Sequence, residues 1–357
     1  MKARISAIEF YLPSLVLRNE DLAAQSPTWT ADKIEQKTGI RTRHISGPNE
    51  CASDLAMKAM LLLFESGVCR AAEVDFLLLC TQSPDYFLPT TACLLQTKLS
   101  LPTTCGALDF NLGCSGYVYG LGLAKGLIES GQARNVLLVT AETYSKFIHP
   151  NDNTTRTLFG DAGAATLVEG VESEADLIGP FVFGTDGSGA ENLMVATGGM
   201  RQAFVPGANL IQDQGGNQRT VNNLYMNGPE IFNFTLQMVP RAVQELLRKA
   251  DRRLDQIDRF VFHQANRYML EHLCKKLQIP REKFSLCMAE SGNTVSSTIP
   301  IALRADLEAG LIHHGDTLML VGFGVGYSWG ATLLKWQEKQ CDLPAPLAVT
   351  ACDGDPL

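Results

Sequence analysis

Short, unbroken apolar runs alternate with longer stretches of helical spacing along most of this chain. Val74-Asp-Phe-Leu-Leu-Leu-Cys80 is apolar at successive positions and reads as a strand covered on both faces, ending at the loop Gln82-Ser-Pro-Asp85. Asn135-Val-Leu-Leu-Val-Thr140 repeats that pattern. Gly160-Asp-Ala-Gly-Ala-Ala-Thr-Leu-Val168 passes from a tight turn into a further strand. Between them, Cys114 to about Ser130 has helical spacing punctuated by Gly116, Gly120, Gly122 and Gly126. Glycine weakens a helix, so four of them predict very close packing against neighbouring backbone. Strands alternating with helices in this way predict an α/β fold.

The second half replays the order. Ile257-Asp-Arg-Phe-Val-Phe262 matches the strand ending at Cys80, Asp316-Thr-Leu-Met-Leu-Val321 matches Asn135–Thr140, and Trp329–Lys335 echoes Gly163–Glu169. The chain therefore divides into similar halves, residues 1–175 and 176–340, with 341–357 as an exposed tail. A duplicated protein of this kind places its reactive site between the halves, at the carboxyl ends of strands. Residues 184–228 are irregular until Tyr225-Met-Asn-Gly-Pro-Glu-Ile-Phe232 opens a helix, and a loop of that length is expected to be functional or mobile.

Composition narrows the classes. The 357 residues are 45% hydrophobic and 19% charged, with a net charge of −8, so the chain lacks the basic excess of a nucleic-acid or membrane-surface protein. Its ten cysteines show no C-x-x-C spacing, and Met1-Lys-Ala-Arg-Ile runs into a strand with no apolar leader. Both features predict a reduced, cytoplasmic protein. The longest apolar runs fall short of the roughly 20 residues that span a bilayer.

Chemistry concentrates at three points. In Asn111-Leu-Gly-Cys-Ser-Gly-Tyr117, Cys114 stands between small residues where a strand gives way to a helix. A helix N-terminus favours a thiolate, the nucleophilic form, and so suits a covalent acyl-enzyme. His263 follows directly on a strand in Phe-His-Gln-Ala-Asn266, and Asn293 lies in the small-residue turn Glu290-Ser-Gly-Asn-Thr-Val-Ser-Ser-Thr298. Together they make a nucleophile with two neutral hydrogen-bond donors. The loop Gly322-Phe-Gly-Val-Gly-Tyr327 adds backbone N–H groups suited to an oxyanion hole. Such donors stabilise an enolate better than they activate water, which points to carbon–carbon chemistry on thioesters.

With Lys37-Thr-Gly-Ile-Arg-Thr-Arg-His44, Gly113-Cys-Ser-Gly116, Phe159-Gly-Asp-Ala-Gly163, His263-Gln-Ala-Asn266, Gly292-Asn-Thr294 and Phe323-Gly-Val-Gly-Tyr-Ser-Trp-Gly330, the chain resembles the β-ketoacyl-acyl-carrier-protein synthase III group of thiolase-fold condensing enzymes. The likeness runs over about residues 3 to 336, and the Cys-His-Asn set sets it apart from the chain-elongating synthases, which use Cys-His-His. It implies a duplicated, five-layered α-β-α-β-α sandwich. It also implies acyl transfer to Cys114, an oxyanion hole from the N–H groups of Cys114 and Val325, and decarboxylative Claisen condensation with a malonyl thioester held by His263 and Asn293. No metal and no cofactor is called for. The apolar helix after Cys114 would wall an acyl tunnel. Phe323, in the glycine-rich loop, belongs to the implied substrate site.

Departures from the family pattern bear on the substrate. Lys33 and Lys37 stand where a Trp and an Arg grip coenzyme A, and Asn153 stands where a further Arg is usual. An ammonium lacks the fork of a guanidinium. This favours an acyl-carrier-protein donor, with acyl coenzyme A thioesters as the other possibility. Arg267, Lys275 and Lys276 fall where the family docks its acidic carrier. Members are homodimers in which a residue near Leu88 crosses to the partner's acyl pocket. The competing readings are an acyltransferase passing the acyl group of Cys114 to a hydroxyl or amine, a non-catalytic partner subunit, and a thioester hydrolase. The intact Cys-His-Asn set opposes the second, and the lack of a placed carboxylate or other base opposes the third.

Overall fold

Leu77 and Leu79 turn to one face of the strand Phe76–Cys80 and Leu78 to the other, and all three are buried. A strand sealed on both sides needs a layer above and a layer below, and this requirement sets the architecture. The computed structural model describes residues 1–25 and 29–337, so the expected tail at 341–357 lies outside the described residues.

The first sheet runs in the order Lys2–Tyr11, Ala162–Val171, Asn135–Glu142, Phe76–Cys80, Gly106–Phe110. Its first two junctions are antiparallel and its last two parallel. The second sheet runs Ile178–Thr185, Ser328–Lys335, Thr317–Gly324, Arg259–Phe262, with two antiparallel junctions and then a parallel one. In place of a fifth strand it has a single parallel bridge between Phe260 and Phe284. The strand pairs matched in the sequence thus occupy the same slots in the two sheets.

Three apolar cores fill the gaps. Leu77, Leu79, Leu137 and Val139 pack under the helix Ala52–Glu65 through Ala56 and Leu63. Leu78, Val136 and Leu138 face inward and meet Leu318 and Leu320 of the second sheet across Tyr117 and Leu121 of the helix Gly116–Glu129. The helix Thr298–Glu308 fills the same middle layer with Ile299, Ala302 and Leu303. Met319 and Val321 turn outward onto Val239, Val243 and Leu246 of the helix Gly228–Ala250. Each fully buried leucine contributes about 2 kcal/mol. The result is the five-layered α-β-α-β-α sandwich.

Two expectations need correction. Tyr225 and Met226 do not open a helix. They pair as a short strand with Leu193–Met194, and the helix starts at Gly228, where the Asn227 side chain accepts from the Glu230 N–H. The helix after Cys114 is apolar because it is sandwiched between two sheets, not because it walls a tunnel. Three of its glycines permit close approach, to side chains rather than to the expected backbone: a Cβ at Gly116 would lie 2.2 Å from Cys80 Sγ, one at Gly120 2.4 Å from Leu138 and one at Gly122 2.9 Å from Phe183, whereas Gly126 has open space.

Candidate active site

Parallel strands in both sheets end toward one place. Cys114 lies beyond the strand Gly106–Phe110, His263 directly follows Arg259–Phe262, and the strand Thr317–Gly324 and the loop after it cover Cys114. Cys114, His263, Asn293 and Phe323 line one apolar cavity, together with Phe159, Leu193, Met226, Ile231 and Met269.

Glycines set how closely the loop covers Cys114. A Cβ on Gly324 would lie 2.8 Å from Cys114 Sγ, and one on Gly322 would lie 2.8 Å from the Cys114 carbonyl oxygen. Only a bare backbone fits there. The loop is pinned from behind, since Ser328 Oγ lies 2.6 Å from Ser115 Oγ and 3.1 Å from the Val325 carbonyl oxygen. The backbone N–H groups of Val325 and of Cys114 itself both reach the sulfur. Two N–H groups aimed at the reacting atom are the raw material of an oxyanion hole.

The resting thiolate expected from the helix terminus is not what the surroundings favour. Burial pushes the Cys114 thiol up to about 12, the Glu142 carboxylate adds to the push, and the two N–H groups oppose it. Glu142 ends the strand Asn135–Glu142 and is fully buried. It accepts from Ser296 Oγ at 2.9 Å, the Gln82 N–H at 3.1 Å and Ser83 Oγ at 3.2 Å. Burial raises its pKa to about 8 even against those bonds. At neutral pH Glu142 is therefore mostly protonated and its push on the thiol is withdrawn. As pH passes 8 it ionises and disfavours the thiolate. Because Ser296 belongs to the Asn293 turn, Glu142 also ties the two halves together beneath the site.

Asn293 is fixed by backbone on three sides. Its N–H donates to the Leu158 carbonyl at 2.9 Å, and its carbonyl accepts from the Gly160 N–H at 3.0 Å. Its side-chain Oδ1 accepts from the Val295 N–H at 3.0 Å. With Oδ1 so occupied, Nδ2 is the group left to face the cavity, as a donor. The turn needs Gly292 at φ +70°, where a Cβ would lie 2.9 Å from the Leu158 carbonyl oxygen, and it holds Val295 at φ +55°. A β-branched residue in that region is strained, and such strain marks a site held in place by its surroundings. The Phe159-Gly-Asp motif is the other wall of this turn. Asp161 is clamped by Ser46 and Ser145 through both their N–H groups and their hydroxyls.

His263 is buried, and its ring meets the edge of Phe323 with centroids 5.4 Å apart. Burial lowers its pKa to about 3, so the imidazole is neutral at working pH. Nδ1 lies 2.7 Å from Thr298 Oγ1.

The remaining expected residues are not brought to the cavity wall. Leu88 is 81% exposed, outside the cavity of its own chain. Lys33 and Lys37, on the helix Ala31–Thr38, place their ammonium groups 5.4 and 5.1 Å from the Trp29 ring centre. Sequence reasoning missed Trp29, whose signal was its spacing of four from Lys33 and eight from Lys37. Asn153 opens the short helix Asn153–Arg156, whose Asp152 cap accepts from Thr154 and Thr155. Arg267 packs against Gly39 beside Asn266 and Met269 of the cavity wall, whereas Lys275 and Lys276 sit two turns away at the far end of the helix Arg267–Leu277. Lys276 donates to the Leu236 carbonyl at 2.8 Å. The eight cysteines among the described residues are all free, and no described helix is long and apolar enough to cross a membrane.

Comparison with known proteins places this geometry. Residues 108–187 match the family model "3-Oxoacyl-[acyl-carrier-protein (ACP)] synthase III", and residues 247–336 match the model of its C-terminal part. A β-ketoacyl-acyl-carrier-protein synthase III of Halalkalibacterium halodurans is 38% identical over 337 residues, 94% of this chain and 97% of that protein. A crystal structure of a 3-oxoacyl-(acyl-carrier-protein) synthase III is 53% identical with a TM-score of 0.93, covering 94% of this chain and 100% of that one. The enzyme from Burkholderia xenovorans is 38% identical with a TM-score of 0.86, covering 94% and 95%. These neighbours share the thiolase fold, and their synthase names disfavour the acyltransferase to a hydroxyl or amine. The chain belongs to the 3-oxoacyl-acyl-carrier-protein synthase III family and is a condensing enzyme of the acyltransferase type.

Proposed function

We propose that the enzyme carries an acyl group on Cys114 and condenses it with a malonyl thioester through His263 and Asn293. The observation that carries this reading is the convergence of one thiol and two neutral donors on a single apolar cavity. Cys114 Sγ attacks the acyl thioester carbonyl. Its proton leaves with the departing thiol, and the Cys114 and Val325 N–H groups hold the tetrahedral oxyanion. The malonyl thioester then enters with its carbonyl oxygen against His263 and Asn293. Breaking the bond to the carboxylate releases carbon dioxide and leaves an enolate whose charge falls on that oxygen. The enolate carbon attacks the acyl-Cys114 carbonyl, the C–S bond breaks, the Cys114 sulfur takes up one proton from solvent to return to the thiol, and a β-ketoacyl thioester departs. Phe323 and the apolar wall exclude water, which protects the acyl-enzyme and strengthens both donors.

The names of the relatives point to acyl-carrier protein as the thioester carrier, and Arg267 at the cavity rim is the best-placed cation to meet an acidic partner. Lys33 and Lys37, packed around Trp29, offer two point charges and no guanidinium fork, which favours the carrier protein over coenzyme A. The same condensation initiates fatty-acid and polyketide chains, and the acyl group accepted decides between them. Incubation with an acyl thioester and carboxyl-labelled malonyl-carrier protein should release one labelled carbon dioxide per β-ketoacyl product. Acyl transfer without that release would refute the reading.

A homodimer completes it. The strand Gly106–Phe110 is an open sheet edge that carries Leu108, 36% exposed, and beside it Leu123 and Phe183, 46% and 45% exposed, line an apolar groove. An uncovered edge beside an uncovered apolar patch invites a second copy. Phe87 and Leu88 project from the surface and would reach the partner. Sedimentation should give twice the 38.9 kDa chain mass, and Leu123→Lys should shift it toward the monomer. A wild-type monomer at micromolar concentration would exclude this arrangement.

A further inference from the structure

A neutral imidazole carries one N–H, and the mechanism above needs it on the nitrogen that faces the substrate. Nε2 is that nitrogen, because Nδ1 points away to Thr298 Oγ1 at 2.7 Å. The hydroxyl has a single proton and two acceptors in reach, Nδ1 and the Val295 carbonyl oxygen at 3.1 Å. The Val295 carbonyl already accepts the backbone N–H of Thr298. That oxygen has a second lone pair and could take the hydroxyl as well, so the choice of Nδ1 rests on its contact being the shorter, 2.7 Å against 3.1 Å. If the hydroxyl donates there, Nδ1 holds no proton and Nε2 must carry it.

Thr298 is well placed to enforce this choice. It opens the helix Thr298–Glu308, which is anchored in the middle layer by Ile299, Ala302 and Leu303, and it is itself buried. The same turn that aims Asn293 therefore fixes the hydroxyl that orients His263, so the two donors are set by one short segment, residues 293–298.

We infer that Thr298 is a positioning residue that donates its hydroxyl proton to Nδ1 and holds His263 as the Nε2–H tautomer that decarboxylation requires. This rests on the reading of His263 as a donor. Thr298→Val keeps the shape and removes the hydroxyl, while Thr298→Ser keeps the hydroxyl. Decarboxylation of malonyl-carrier protein should fall about 100-fold in Thr298→Val, the scale of one lost transition-state donor, and recover most of its rate in Thr298→Ser. Acylation of Cys114, read by intact mass, should change by less than about twofold, which also shows that the variant is folded. In protein labelled with nitrogen-15 histidine, the wild-type His263 should show a protonated Nε2, and Thr298→Val should lose that signature. Wild-type decarboxylation in Thr298→Val, an equal loss of acylation, or a wild-type Nδ1–H tautomer would overturn the inference. His263→Ala separates the two claims: if it decarboxylates normally, the donor reading itself fails. If it is inactive while Thr298→Val is active, only the role of Thr298 fails.

Discussion

Cys114→Ala is expected to abolish acyl transfer while leaving the fold intact. The substitution removes one sulfur from a site already closed by Gly322 and Gly324, so no new contact forms and stability should drop by about 1 kcal/mol. Activity should fall at least about 1,000-fold, because no second thiol stands among the residues lining the cavity. The same site predicts a pH signature for the wild-type thiol. With Cys114 pushed up to about 12, its thiolate fraction, and with it the rate of iodoacetamide alkylation, should climb roughly tenfold per pH unit from pH 6 to 8. Ionisation of Glu142 near pH 8 should then make the climb shallower, since a carboxylate disfavours the thiolate. A plateau near pH 7 would mean that the helix terminus outweighs burial.

Asn293→Asp should separate the two half-reactions. The carboxylate still accepts from the Val295 N–H, so the strained turn survives, but the Nδ2 donor becomes an acceptor. Decarboxylation should fall by about 100- to 1,000-fold, and acylation of Cys114 should remain within a few-fold. His263→Ala should behave likewise, because neither side chain is needed to form the acyl-enzyme in this mechanism. Labelled carbon dioxide release and intact mass, measured on the same samples, give both rates. Equal loss in both half-reactions would assign these residues to acylation.

Cys114 and Asn293 could be picked out in the sequence because each sits in a short motif where backbone geometry demands small residues, and His263 because it directly follows a strand. Gly113 and Gly116 bracket Cys114, and Gly292 precedes Asn293. The layering was readable for a similar reason: strands buried on both faces lose polar alternation, as Leu77, Leu78 and Leu79 show. What was not readable depends on burial that only the assembled halves create. Glu142 looks like any strand-end carboxylate until Gln82, Ser83 and Ser296 close around it. Thr298 looks like a helix starter until His263 arrives from a strand 35 residues earlier. The pull of the helix terminus toward a thiolate is opposed in the same way, since a helix terminus can be seen in a sequence and the desolvation opposing it cannot. Lys33, Lys37 and Leu88 were placed by motif position alone, and position along the chain says little about which rim of a cavity a surface residue occupies.

Proteolytic peptide mapping after brief exposure to acyl-carrier and coenzyme A thioesters tests the role of Cys114 most directly. The predicted result is one acyl mass, carried by the peptide containing Cys114 and absent from Cys114→Ala. An acyl group found on Cys80, on Cys287 or on any other residue in the wild-type enzyme would contradict it.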